Sequence, residues 1–140
     1  MIENVILFQI DLTSKLAKSY SQQEFDRIGL DITVEQWILL KIVEESEGLS
    51  QRELASKSNR DPASITRTLD LLEKKNMIQR ELIPGNRRQY RIILAEEGKN
   101  FIKIHMPLIE KHRKNSIKGL TDKEIQLLHD MLKKIQNNMK

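Results

Sequence analysis

Apolar residues recur along most of this chain at helical spacing. Residues 2–28 place Val5, Ile6, Phe8, Leu12, Leu16 and Tyr20 at steps that predict a helix, closed by Gly29. Thr33 followed by Gln36 is a capping-box pair, and Trp37, Leu40, Ile42 and Val43 make the next helix apolar as far as Gly48. Ser50 with Glu53 repeats the device and opens a short helix to about Lys57. Asp61-Pro62 is a further start, since aspartate caps free amides and proline suits a first turn. Behind it Ile65, Leu69 and Leu72 share one face. Lys74 and Lys75 suit the negative C-terminal end of that helix, and Asn76 can take the left-handed conformation that stops it.

The pattern then changes. Met77–Leu82 and Gln89–Leu94 read as two strands, joined across Ile83–Arg88 by a turn containing Pro84, Gly85 and Asn86. A long helix is expected from about Glu96 to Lys118, with Pro107 inside it. Thr121 with Glu124 is a third capping box, opening a last helix that carries Ile125, Leu128, Met131, Leu132 and Ile135. The order helix, turn, helix, wing predicts a mainly α fold with a small β-hairpin wing, a winged helix-turn-helix. Residues 1–140 are expected to form one domain. Residues 30–98 would be its DNA-binding core, and 2–28 and 96–139 would be helical dimerisation regions, because so small a winged domain cannot bury all their apolar surface.

Charge sharpens this picture. Between Ser50 and Leu94 there are ten Lys/Arg against five Asp/Glu, so the net charge of +4 is concentrated in the helix-turn-helix and wing. A solvated basic surface is the plain alternative, but charge coinciding with this motif points to an anionic polymer. Aromatic residues are only 4% of the chain, which leaves little material for stacking single-stranded bases. The absence of cysteine excludes disulfides and thiolate chemistry. The apolar run Val5–Phe8 is flanked by Glu3 and Asp11, unlike a secretion signal, and no stretch reaches the roughly 18 apolar residues of a membrane span. A cytoplasmic protein without membrane partners is expected.

On a wheel of about 100° per residue, Ala63, Arg67, Asp70 and Lys74 lie opposite the Ile65-Leu69-Leu72 face, with Ser64 and Thr66 on the flanks. Small residues allow close approach to base edges, and arginine can bridge guanine O6 and N7. Ala63, Ser64, Thr66 and Arg67 are therefore candidate base readers. Arg87 and Arg88, at the hairpin tip, are candidates for the minor groove, whose negative potential favours arginine. Ser50, Arg52, Lys57, Arg60 and Lys74 are candidate phosphate contacts.

These residues carry a resemblance. Thr33-Val34-Glu35-Gln36-Trp37, Ser50-Gln51-Arg52-Glu53-Leu54-Ala55, the helix from Thr66-Arg67 to Leu72-Glu73-Lys74-Lys75, Asn86-Arg87-Arg88 and Ala95-Glu96-Glu97-Gly98 resemble the MarR family of bacterial transcriptional regulators over residues 30–98. The resemblance implies a homodimer with interlocking terminal helices that binds a near-palindromic double-stranded operator. It implies a repressor or activator commonly relieved by a small molecule, and a repressor relieved by a small-molecule effector is expected. It gives Ala63, Ser64, Thr66 and Arg67 the reading role and Arg87 and Arg88 the wing role. Asn86 stands where the family usually has an aspartate that braces the wing.

No catalytic pattern competes. Nucleophile–base pairs, Gly-rich phosphate loops and paired carboxylates do not stand out, so no enzyme is expected. His105 and His112 share a helical face seven residues apart, a poor ligand spacing, and no metal or cofactor is expected. The rival from another class is a winged-helix protein-interaction module without specific DNA readout, which should lose the arginine of the reading face and the wing charge. RNA is a lesser rival, because A-form duplexes lack the wide major groove this helix suits.

Overall fold

The computed structural model describes residues 1–140, with every side chain except that of Arg87. After a 3-10 turn at Ile2–Asn4 come helices α1 (Ile6–Arg27), α2 (Val34–Glu45), α3 (Gln51–Ser58) and α4 (Pro62–Lys74), strands β1 (Ile78–Ile83) and β2 (Asn86–Leu94), and helices α5 (Glu96–Ser116) and α6 (Asp122–Asn138). The mainly helical winged architecture expected from the sequence is the one found. Two compact units are distinguished, Met1–Met106 and Pro107–Lys140.

The capping boxes are formed. Thr33 Oγ1 accepts from the Gln36 amide at 3.2 Å while Gln36 Oε1 accepts from the Thr33 amide at 3.1 Å. Ser50 and Glu53 do the same at 3.1 and 3.3 Å, and Thr121 and Glu124 at 3.1 and 2.9 Å. Asp61 Oδ1 accepts from the Ser64 amide at 2.8 Å, with Pro62 in the first turn of α4. Each cap satisfies orphan amides and contributes about 1 kcal/mol. Asn76 follows α4 with φ +60° as expected, and Asn59 does the same for α3 with φ +53°. That leaves only Asn59, Arg60 and Asp61 between α3 and α4.

In the first unit, α2, α3 and α4 pack together and against the hairpin. Leu40, Leu54, Ile65, Leu69, Leu72 and Ile92 are fully buried. Burying each such side chain is worth roughly 1.5–3 kcal/mol, which fixes the two helices of the motif far more firmly than their lengths of 8 and 13 residues would. The link from α2 to α3 also docks on the wing: Gly48 N donates to Ile92 O at 3.1 Å, and Ile92 N donates to Leu49 O at 2.9 Å. Gly98, in the first turn and a half of α5, has no room for a side chain. A Cβ there would lie 2.2 Å from the Met77 carbonyl oxygen and 2.9 Å from Leu94 Cδ1.

The hairpin departs from expectation at its tip. The strands run further than predicted, leaving Pro84 and Gly85 as the turn, with Gly85 at φ +81°. Register is regular from Ile78 opposite Leu94 to Leu82 opposite Tyr90, then jumps to pair Ile83 with Asn86. Positions 87–89 are thus an insertion within β2 rather than part of a loop. The cause is local: Asn86 Oδ1 accepts from the Arg88 amide at 3.0 Å and bends the chain over the skipped residues.

In the second unit, α5 stops at Ser116, slightly before the expected Lys118, and Gly119 with φ +92° precedes the Thr121 cap. On α6, Ile125, Leu132 and Ile135 are half-buried, whereas Leu127, Leu128 and Met131 are exposed.

Candidate nucleic-acid interface

The outer face of α4 is built by the cap below it and the leucines behind it. Ala63 and Arg67 are exposed, and among the described residues Arg67 has no hydrogen-bond or ion-pair partner. Ser64 and Thr66, on the flanks, are half-buried and engaged. Arg60 Nη2 donates to Ser64 Oγ at 2.8 Å. Thr66 Oγ1 donates to the Pro62 carbonyl at 2.9 Å and accepts from Gln51 Nε2 at 2.6 Å. Thr68 is buried, with its hydroxyl turned back onto the Ser64 carbonyl at 3.0 Å.

Between α3, α4 and the wing lies an open groove of about 830 Å³, whose walls include Gln51, Arg52, Thr66, Asp70, Arg80 and Arg88. Arg80 of β1 is its central charge. Its side chain is only 13% exposed, and Nη2 lies 2.8 Å from Asp70 Oδ1 and 3.4 Å from the Thr66 carbonyl, while Nη1 lies 3.2 Å from Glu73 Oε1. One guanidinium thus neutralises both acids of α4 that face the groove. Without it Asp70 and Glu73 would leave the groove wall with two uncompensated negative charges.

The expected phosphate contacts separate into two groups. Arg52 and Lys74 are exposed and without a partner among the described residues. Lys57 Nζ donates to Ser46 Oγ at 2.6 Å, and Arg60 holds Ser64, so these two point their charge through a local bond. Ser50 is 5% exposed and its hydroxyl is the α3 cap, so its part is to orient the helix start. In the wing, Arg88 is exposed and its amide is held by Asn86. The role expected for the Arg87 side chain falls outside the described residues. Sequence reasoning missed Gln51 and Arg80. Gln51 has no local signal beyond following the Ser50 cap. Arg80 had one: Asp70 and Glu73, at helical spacing on an otherwise basic motif, require a cation.

A second cluster lies away from the groove. Phe25 and Trp37 meet edge to face with ring centroids 6.5 Å apart, Trp37 and Phe101 at 6.3 Å, and Phe101 and His105 at 4.4 Å. Burial pushes the His105 imidazole below its ordinary range. Trp37 is 1% exposed, and its Nε1 has no acceptor among the described residues. No group of three or more His, Asp or Glu is placed to hold a metal ion among the described residues, and no helix is long and apolar enough to cross a membrane.

Two helices joined by a three-residue turn, the second open to solvent beside a bent basic hairpin, are the working parts of a winged helix-turn-helix. The family model for the MarR family matches residues 32–90. The structure of the transcriptional regulator SlyA matches at 28% identity and TM-score 0.83, over 96% of this chain and 93% of that one. A MarR/EmrR family transcriptional regulator from Acinetobacter sp. ADP1 has the same fold at 20% identity and TM-score 0.89, over 99% and 97% of the two chains. A mutant MarR from E. coli complexed with operator DNA shares it at 23% identity and TM-score 0.81, over 91% and 90%. Over residues 32–90 this chain is similar to the MarR family.

Proposed function

We propose that this protein binds double-stranded operator DNA as a homodimer, in a sequence-specific way, and represses transcription until a small molecule releases it. The observation that carries the DNA reading is Arg67, exposed at the middle of the α4 outer face and without a partner among the described residues. An exposed guanidinium without such a bond is available for a bidentate contact to guanine. Ala63 beside it allows the helix to approach, Arg52 and Lys74 supply phosphate contacts, and the wing offers Arg88 with Arg87 next to it in sequence. A solved E. coli relative is a complex with operator DNA, which supports the same use here. A protein-docking use of this surface would leave these arginines without a task.

Dimerisation is supported by apolar side chains exposed on the terminal helices: Leu12 and Leu16 on α1, and Leu127, Leu128 and Met131 on α6. A second copy places two reading helices on two half-sites about one turn of DNA apart. Release by a small molecule is supported by the aromatic cluster. An effector with a flat apolar body and one acceptor oxygen would satisfy the orphan Trp37 Nε1. The decisive experiment selects duplexes from a random-sequence pool with the full chain, while light scattering gives the mass of the free protein and of the complex. A near-palindrome bound by two chains supports the proposal. A monomer of 16.4 kDa with no preferred duplex refutes it.

A further inference from the structure

We infer that Gln51 reads sequence together with Thr66, and that the two form one unit selective for adenine; the inference rests on the duplex-binding function proposed above. The argument is an account of donors and acceptors. A threonine hydroxyl has one proton and two lone pairs. The Thr66 proton goes to the Pro62 carbonyl at 2.9 Å, the back-bond a helical threonine ordinarily makes. One lone pair accepts from Gln51 Nε2 at 2.6 Å. What Thr66 still offers on its flank of α4 is a single acceptor, which suits an amino group and repels a carbonyl.

Gln51 is the first residue of α3, half-buried and on the wall of the same groove. The bond to Thr66 fixes which way its amide faces: the nitrogen must point at the hydroxyl, because the hydroxyl proton is already committed. One N–H and the whole of Oε1 remain, and among the described residues nothing bonds Oε1. An acceptor beside a donor on one planar amide is the complement of adenine in the major groove, where N6 donates and N7 accepts. Cytosine offers only the amino group, and guanine and thymine would set a carbonyl oxygen against Oε1. Gln51 Oε1 accepting from N6 while its remaining N–H donates to N7 thus favours adenine, and the free lone pair of Thr66 adds a second acceptor that disfavours a base carbonyl. The side chain is also held before DNA arrives, so less rotamer freedom is lost on binding.

The test uses the full chain and the duplex it selects from a random pool. Gln51→Ala, Thr66→Val, their combination and Thr66→Ser are measured on that duplex and on every single-base variant of one half-site. Gln51→Ala is expected to cost roughly 10-fold at one adenine position and little at the others. Thr66→Val is expected to lose discrimination at the same position, and the double variant is expected to be no worse than the poorer single one. Thr66→Ser keeps the hydroxyl and is expected to keep the preference. Uniform losses over all base variants mean that Gln51 holds a phosphate, and independent, additive losses mean that the two side chains do not act as a unit. Either result overturns the inference while leaving the duplex-binding function standing. A wild-type chain that selects no duplex overturns both.

Discussion

Arg80 Nη2 lies 2.8 Å from Asp70 Oδ1, so a charge on the first wing strand is fastened to the outer face of the reading helix. The same guanidinium holds Glu73 and the Thr66 carbonyl, which makes it the joint between α4 and the wing. Arg80→Gln leaves two carboxylates facing the groove with no cation between them. Loss of hydrogen bonds to charged partners at a site so little exposed is expected to cost about 1–3 kcal/mol of stability. DNA affinity is expected to fall more than stability explains, because uncompensated acids repel phosphate. Chemical denaturation beside duplex binding separates the two effects. Binding weakened only in proportion to unfolding would reduce Arg80 to a stability residue.

Arg67→Ala is expected to leave the fold intact, since the side chain is exposed and has no partner among the described residues. A bidentate guanine contact is worth about 1–3 kcal/mol of discrimination, so specificity should relax at one base position per half-site. Equal loss on every single-base variant would show that Arg67 holds a phosphate instead.

Binding should be strongly salt-dependent. A dimer using the basic residues of motif and wing makes roughly 6–10 phosphate contacts, which gives a slope of log affinity on log salt of about −5 to −9. Arg88→Ala removes one exposed cation per protomer and is expected to flatten that slope by about 1–2, with little change in sequence preference. An unchanged slope would take Arg88 out of the interface.

Gly98→Ala is expected to destabilise the protein by roughly 1–3 kcal/mol, because the new methyl group would overlap the Met77 carbonyl and the Leu94 side chain, and backbone has to shift to relieve it. Equilibrium unfolding in urea measures it. A neutral result would mean that the start of α5 can slide off β1 at no cost.

His105 is expected to make stability depend on pH. Burial lowers its folded pKa, so the folded state prefers the neutral ring. A lowered imidazole pKa leaves stability complete above the unfolded value of about 6.5, and protonation in the unfolded state erodes it as pH falls below that. The wild-type melting temperature is expected to drop between about pH 7 and pH 5, and His105→Phe, which keeps a ring against Phe101, should drop less. Identical slopes for the two proteins would place the titration elsewhere.

Much of this was legible in the sequence because its signals are local. Thr33-Gln36, Ser50-Glu53, Asp61-Pro62 and Thr121-Glu124 each announce a helix start from within four residues, and each helix begins where they place it. The face carrying Arg67 followed from the Ile65-Leu69-Leu72 stripe alone. What was not legible depends on partners distant in the chain. Gln51 meets Thr66 across the turn, and Arg80 meets Asp70 across the end of α4. The hairpin tip was misjudged because the Asn86 side chain, rather than strand propensity, decides where pairing jumps. The DNA-facing roles of Ala63, Ser64, Thr66, Arg67 and Arg88 remain proposals that binding measurements decide.

The isolation of Ala63 and Arg67 from the rest of the molecule bears on how such a protein diversifies. The reading helix is held from beneath by Ile65, Leu69 and Leu72, and from its sides by Gln51, Arg60 and Arg80. None of those anchors is Ala63 or Arg67. A single exchange at either position leaves all of those anchors in place, so under the proposed function it would alter the target without passing through a misfolded product. Duplicated copies could then diverge in target in one step while inheriting an unchanged scaffold.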